Sequence, residues 1–169
     1  MSLPPDQHAG SDGFHCKLIA VTIDEASIGR TTPEVDHERQ VAIFDLLEGN
    51  VFELTAGPPG PYRLAVAMAE QRLVLSVTPD GGDAPAAVFL LSLSPFRRVV
   101  KDYFLVCENY FEAIKTAPPS RIEALDMGRR ALHDEGSKLL MERLDGKVRL
   151  DFDTARRLFT LLCALHWKG

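Results

Sequence analysis

Apolar and polar residues alternate over residues 17–24 (KLIAVTID), the pattern of a strand with one buried face. Residues 51–56, 62–69, 72–78 and 86–94 have the same strand character. Turn chemistry separates them: Gly57-Pro58-Pro59-Gly60-Pro61 follows the second run and Pro79-Asp80-Gly81-Gly82-Asp83 the fourth. Only Glu70 and Gln71 lie between the third and fourth, which predicts a tight hairpin and antiparallel neighbours rather than crossovers. From Pro95 onward the apolar period becomes helical. The sum is an α+β fold, a small antiparallel sheet of about five strands with about four helices packed mainly on one face.

Four helix starts are legible. Thr32 precedes Pro33 and opens a helix that runs to about Gly49. Ser94 precedes Pro95 in the same way, and Ser120-Arg121-Ile122-Glu123 reads as a capping box after Pro118-Pro119. Asp151 or Asp153 opens a last helix that continues to the C-terminus. Residues 1–16 predict a flexible tail, and 17–169 a single α+β domain, strand-rich over 17–94 and helical over 95–169.

The helix faces contain exceptions that carry the functional argument. In the second helix Phe96, Val99, Val100, Tyr103, Phe104, Val106, Cys107, Tyr110, Phe111 and Ile114 fill a broad apolar arc, which predicts a core helix. In the third, Asp126, Arg130, Asp134, Lys138 and Glu142 form a ladder of alternating sign, each pair contributing about 0.2–0.5 kcal/mol. Its apolar side holds Gly128 and Gly136, and since each costs about 1 kcal/mol relative to alanine they predict close approach by another backbone. Arg129 projects into that side and His133 lies at its edge. In the first helix Arg39 falls in the middle of the stripe Val35, Ala42, Ile43, Leu46, and His37 lies on the other side. A guanidinium among apolar neighbours must find partners, because burying a bare charge is prohibitive.

Composition narrows the class. The 169 residues are 46% hydrophobic and 25% charged with a net charge of -5, a soluble globular balance that excludes collagenous, disordered and disulfide-scaffold chains. No apolar run approaches the roughly 18 residues of a membrane span, and residues 1–13 lack a basic start and an apolar core, so a membrane association or secretion by that route is not expected. Cys16, Cys107 and Cys163 match no CxxC or zinc spacing, and a reducing, cytoplasmic location fits them. Charge is unevenly spread: residues 1–94 carry 5 basic against 13 acidic residues, and residues 95–169 carry 14 against 11.

The candidates for chemistry are therefore cationic. Arg97, Arg98 and Lys101 sit at a helix start, where the exposed N–H groups already favour an anion; pairing with Asp102 or plain solvation is the alternative. Arg30, between Gly29 and the hydroxyls of Thr31 and Thr32, could cradle an anion, although helix capping explains the hydroxyls equally well. Arg39, Arg129 and His133 could converge on one polar pocket, supported by Glu38 and Glu135; alternatively Arg39 is a paired residue closing the core edge. His37, His133 and Glu135 are the candidates for general acid–base work. His166, within the apolar stripe of the last helix, reads as a core histidine.

No metal or cofactor is expected: His37-Glu38 and His133-Asp134-Glu135 place adjacent side chains about 100° apart, and neither forms HExxH. There is no P-loop and no GxSxG elbow. The pairs Arg97-Arg98, Arg129-Arg130 and Arg156-Arg157 diverge on their helices in an acidic chain without a stacking-aromatic motif, which argues against nucleic acid.

Taken together, SIGR (27–30), PEVDHER (33–39), AIFDL (42–46), LSPFRRVVKDY (93–103), DMGRRALHDEG (126–136) and DFDTARRLF (151–159) resemble a small alphaproteobacterial group, uncharacterised protein family 0262, from about residue 17 to the C-terminus. The resemblance implies a compact cytoplasmic bacterial protein and carries over no catalytic residue or cofactor. The residues themselves point to a non-enzymatic interaction or regulatory module that recognises a protein partner or a small anionic ligand. The alternative is a small enzyme acting on a phosphorylated or carboxylated metabolite, with arginine clamps and a histidine acid–base.

Overall fold

The computed structural model describes residues 13–29 and 31–165. The tail expected over residues 1–16 lies, for its first twelve residues, outside them; Arg30 and His166 also lie outside. The described chain runs β1 (Leu18–Ile23), a one-turn helix α1 (Glu25–Ile28), α2 (Pro33–Glu48), β2 (Phe52–Leu54), β3 (Tyr62–Ala69), β4 (Arg72–Pro79) and β5 (Ala87–Ser92). A 3-10 turn (Ser94–Phe96) then leads into α3 (Arg97–Thr116), α4 (Pro119–Leu144), β6 (Val148–Leu150) and α5 (Phe152–Ala164). The fold is α+β.

The main sheet has the order β1-β3-β4-β5. The two hairpin-type pairings, β3 with β4 and β4 with β5, are antiparallel as the short connections require. Between β3 and β4, Glu70 (φ 51°) and Gln71 (φ 63°) both take left-handed conformations, which match the twist of a two-residue hairpin at a steric cost to residues with a Cβ. Gln71 is held from outside the turn: Leu93 N donates to its carbonyl, and Arg97 Nη2 donates to its Oε1 at 2.7 Å.

Two strands depart from the expected antiparallel sheet. β1 joins β3 in parallel, because the long connection through α1, α2 and β2 gives the chain room to cross back. β2 leaves the main sheet and pairs with β6, Phe52 opposite Leu150 and Leu54 opposite Val148. Three residues of β6 are too few to show a period, so the sequence reading passed over them.

One face of the sheet is covered. Tyr62, Leu64, Val66, Leu73, Val77 and Leu91 pack with Leu140, Leu144, Phe159, Leu161, Leu162 and Leu165 in a single core cluster. Each such side chain contributes about 1.5–3 kcal/mol by leaving water. On the edge strand, Val88 and Leu90 are exposed.

Helix ends follow local chemistry where the expected residues hold. Thr32 Oγ1 accepts from Val35 N at 3.2 Å, and Asp151 Oδ1 accepts from Thr154 N at 2.9 Å. Ser120 does not cap α4; the helix begins two residues earlier than that cap would set, with Pro118 as N-cap and Pro119 in first position. The buried Asn50 closes α2 onto β1: its Nδ2 donates to the carbonyls of Leu46 and Leu18, and its Oδ1 accepts from Leu18 N.

The C-terminal ends of α2 and α5 are capped by arginines from each other. Arg39, in the middle of α2, donates from Nε to the Ala164 carbonyl (3.0 Å) and from Nη2 to the Leu165 carbonyl (2.7 Å). Arg157, in the middle of α5, donates from Nη1 to the Gly49 carbonyl at 2.6 Å. The two helices pack against each other, so each lends a cation to the negative end of its neighbour's dipole. That is why a guanidinium only 3% exposed is tolerated at Arg39.

α4 packs on both α3 and α5. Gly136 is the point of closest approach to α5: a Cβ there would lie 2.1 Å from Phe159 Cζ. The close neighbour is a ring rather than a backbone, and a Cβ on Gly128 would meet nothing within 4 Å, so only one of the two glycines has a packing reason. Among the described residues no helix is long and apolar enough to cross a membrane.

Candidate functional site

The Gly136–Phe159 contact sets the facing registers of α4 and α5. One turn back along α4, His133 looks toward α5, and one further turn brings Arg129 and Arg130. From α5, Asp153, Arg156, Arg157 and Thr160 recur at the i, i+3, i+4, i+7 spacing of one helix face. These residues, with Tyr103 of α3, line a cleft of about 420 Å³.

Four guanidinium groups therefore share one concavity, and their partners are few. Asp126 serves two of them, Arg129 at 2.5 Å and Arg130 at 3.1 Å. Arg156 lies 3.3 Å from Asp134 Oδ1, an ion pair without hydrogen-bond geometry. Arg157 spends its Nη1 proton on the Gly49 carbonyl, and among the described residues no carboxylate forms an ion pair with it. The Arg129 guanidinium also sits 5.1 Å above the Tyr110 ring, yet its buried Nε–H has no partner.

His133 adds a second open valence. Its ring packs edge-on to Tyr103 and Phe159, with centroids 5.5 and 5.2 Å away. Its Nε2 lies 2.8 Å from Thr160 Oγ1, and that hydroxyl donates to the Arg156 carbonyl at 3.0 Å. With the hydroxyl proton so used, Nε2 carries the imidazole proton and donates it to Thr160, which leaves Nδ1 as a bare, buried acceptor without a partner. Burial, reinforced by the nearby Arg156 charge, pushes the imidazole below its ordinary value of 6.5 and favours this neutral form. An unsatisfied buried polar atom costs about 1–3 kcal/mol, and here two lie on residues lining the same cleft.

The structure brings Arg129 and His133 together and separates the other candidates from them. Arg39 caps α5 and lines a small hollow beside β1 instead. Arg97 braces the β3–β4 hairpin. Arg98 pairs with Asp102 at 3.4 Å and with Glu135, so the local pairing weighed for the start of α3 is what the structure contains, and Glu135 is a salt-bridge residue. Lys101 is exposed and lines a neighbouring trough; His37 is exposed on α2 and lines neither cavity. Arg30 lies outside the described residues. From the sequence, Arg130 reads as part of a charge ladder and Arg156-Arg157 as a diverging pair, and neither these nor Thr160 was named for the site, although the spacing from Asp153 to Thr160 is that of one face. Among the described residues no group of three or more His, Cys, Asp or Glu side chains is placed to hold a metal ion.

The neighbouring trough, about 850 Å³, corrects the reading of α3 as core throughout. Val99 and Val100 are buried, but Phe111 is 64% and Ile114 50% exposed; the helix packs chiefly on α4, which covers only part of its apolar arc. Tyr103, Phe104, Cys107 and Tyr110 line the trough opposite Cys163 and Ala164 of α5. Tyr103, Arg129 and Thr160 line both cavities, so trough and cleft adjoin at these three residues.

The model of an uncharacterised protein family, UPF0262, matches residues 15–168, a span that includes every residue of the cleft. The chain belongs to that family. It is 60% identical over 153 residues to a family protein of Rhizobium meliloti (strain 1021), covering 90% of this chain and 96% of that one. A Mesorhizobium japonicum relative is 58% identical over 161 residues, covering 95% and 99%. A Rhodopseudomonas palustris (strain BisB18) relative is 55% identical over 163 residues, covering 96% and 99%. No solved structure matches the chain.

Proposed function

We propose that the chain is a non-enzymatic cytoplasmic binding module whose ligand presents a phosphate or carboxylate group to the α4–α5 cleft. One observation carries this reading: four arginines line a single cleft, and one of them, Arg129, keeps a buried, unpartnered donor there. An anion would take up that donor and add negative charge beside Arg129 and Arg130, which share the single carboxylate of Asp126. The cleft suits a small ligand better than a protein surface, because it is concave and its cationic groups converge. The three thiols, Cys16, Cys107 and Cys163, are free, in keeping with a reducing compartment.

Thermal denaturation with inorganic phosphate and pyrophosphate tests the proposal. A ligand that binds only the folded form at a hundred times its dissociation constant stabilises by about 2.7 kcal/mol. The melting temperature should therefore rise with anion concentration, less so in high salt. Arg156→Ala and Arg130→Ala, both at exposed positions, should remove the rise without unfolding the protein. No rise, or an equal rise in both variants, contradicts the proposal.

The bare Nδ1 of a neutral His133 favours one second reading, in which a bound phosphorylated or carboxylated metabolite gives up a proton to that nitrogen. His133→Ala separates the two: a binding module keeps its anion response, whereas an enzyme keeps binding and loses turnover.

A further inference from the structure

The trough beside the cleft has no role in the anion-binding reading, and its lining is of the opposite character. Leu105 and Phe111 on α3 are 54% and 64% exposed, an unfavourable placement for large apolar side chains at about 25 cal/mol per Å². Its volume, about 850 Å³, falls within the range of roughly 300–1,000 Å³ occupied by small-molecule sites. Arg129 stands at the junction: its guanidinium belongs to the cleft, while the Tyr110 ring beneath it lines the trough. The charges are also ordered. Glu38 and Glu108 offset Lys101 and Arg129 along the trough, whereas Arg130, Arg156 and Arg157 line only the cleft, so an anionic group is favoured on the cleft side.

We propose that the ligand is a soluble single-chain amphiphile, with its anionic head in the arginine cleft and its apolar chain laid along the trough between α3 and α5. This inference rests on the anion-binding reading and adds the chemical class of the ligand. Its carrying observation is that a cationic and a largely apolar cavity adjoin at Tyr103, Arg129 and Thr160.

Isothermal titration with n-alkyl phosphates from ethyl to octyl, each below its micellar concentration, tests it. The dissociation constant should fall with every methylene that enters the trough, by up to about fourfold per step. Phe111→Ser, at an exposed position, should flatten that series and leave ethyl phosphate binding unchanged. Arg156→Ala should weaken all members by a similar factor. Cys107, which lines the trough, should react more slowly with a thiol reagent in octyl phosphate than in ethyl phosphate. If ethyl phosphate binds and affinity does not grow with chain length, the amphiphile is overturned while the anion site stands. If no member binds, both fall. A full chain-length gain in Phe111→Ser, or binding seen only to lipid vesicles, also overturns the proposal.

Discussion

His133 combines two features that single residues rarely share, an apolar cage of Tyr103 and Phe159 and a polar tether to Thr160. The cage depresses its pKa below 6.5, so the folded protein resists protonating it while the unfolded chain does not. Above pH 6.5 both forms are neutral and the full stability is present. As pH falls below 6.5, the unfolded state takes up the proton first, and stability is lost until the folded-state value is passed. Melting temperatures measured between pH 7.5 and 5 should therefore fall more steeply in the native protein than in His133→Gln, which keeps a donor for Thr160 and cannot titrate. Parallel curves would show that the imidazole is not held neutral. Gly136 makes this cage possible: without a Cβ, Phe159 can press against α4 and stand beside the imidazole.

At the scale of elements, α2 and α5 are locked by their exchanged arginine caps. Arg39→Met removes two charge-assisted bonds from a buried site and orphans the Ala164 and Leu165 carbonyls, which should cost about 3 kcal/mol in urea denaturation. Arg157→Met loses one bond at a half-buried site and should cost about 1–2 kcal/mol. Equal, small losses in both would show that the caps do not hold the pair. These partnerships separate what was readable from what was not. Thr32 and Asp151 cap helices through atoms three residues away, so the local sequence reveals them. Arg39 is conspicuous in its apolar stripe, but its acceptors lie 125 and 126 residues away, and no local pattern names them. The pairing of β2 with β6 was hidden for the same reason: its partner is a three-residue strand beyond three strands and two helices. Val99 and Val100 of α3 were legible as core, whereas the exposure of Phe111 depends on which side of the helix α4 covers.

Across the whole molecule the uneven charge of the sequence acquires a place. The acidic half, residues 1–94, builds the main sheet and α2, while the half with excess positive charge, residues 95–169, builds all but a small part of the cavity walls. Arg129 and His133 were read as neighbours because they lie four apart on one helix. The opposing arginines, Arg156 and Arg157, read as a diverging pair because facing α5 against α4 is a tertiary fact, fixed by Phe159 on Gly136. An acidic protein that gathers four arginines into one cleft sets up a local field that attracts anions against its own net charge. The most direct test follows the arginine Nε–H resonances of ¹⁵N-labelled protein during a pyrophosphate titration. Saturable shifts of the Arg129 Nε–H signal, together with Arg156 and the His133 ring, and with Arg63 and Arg149 unmoved, are the result predicted here. Uniform small shifts of every arginine, with Arg129 no different from Arg63, would contradict it.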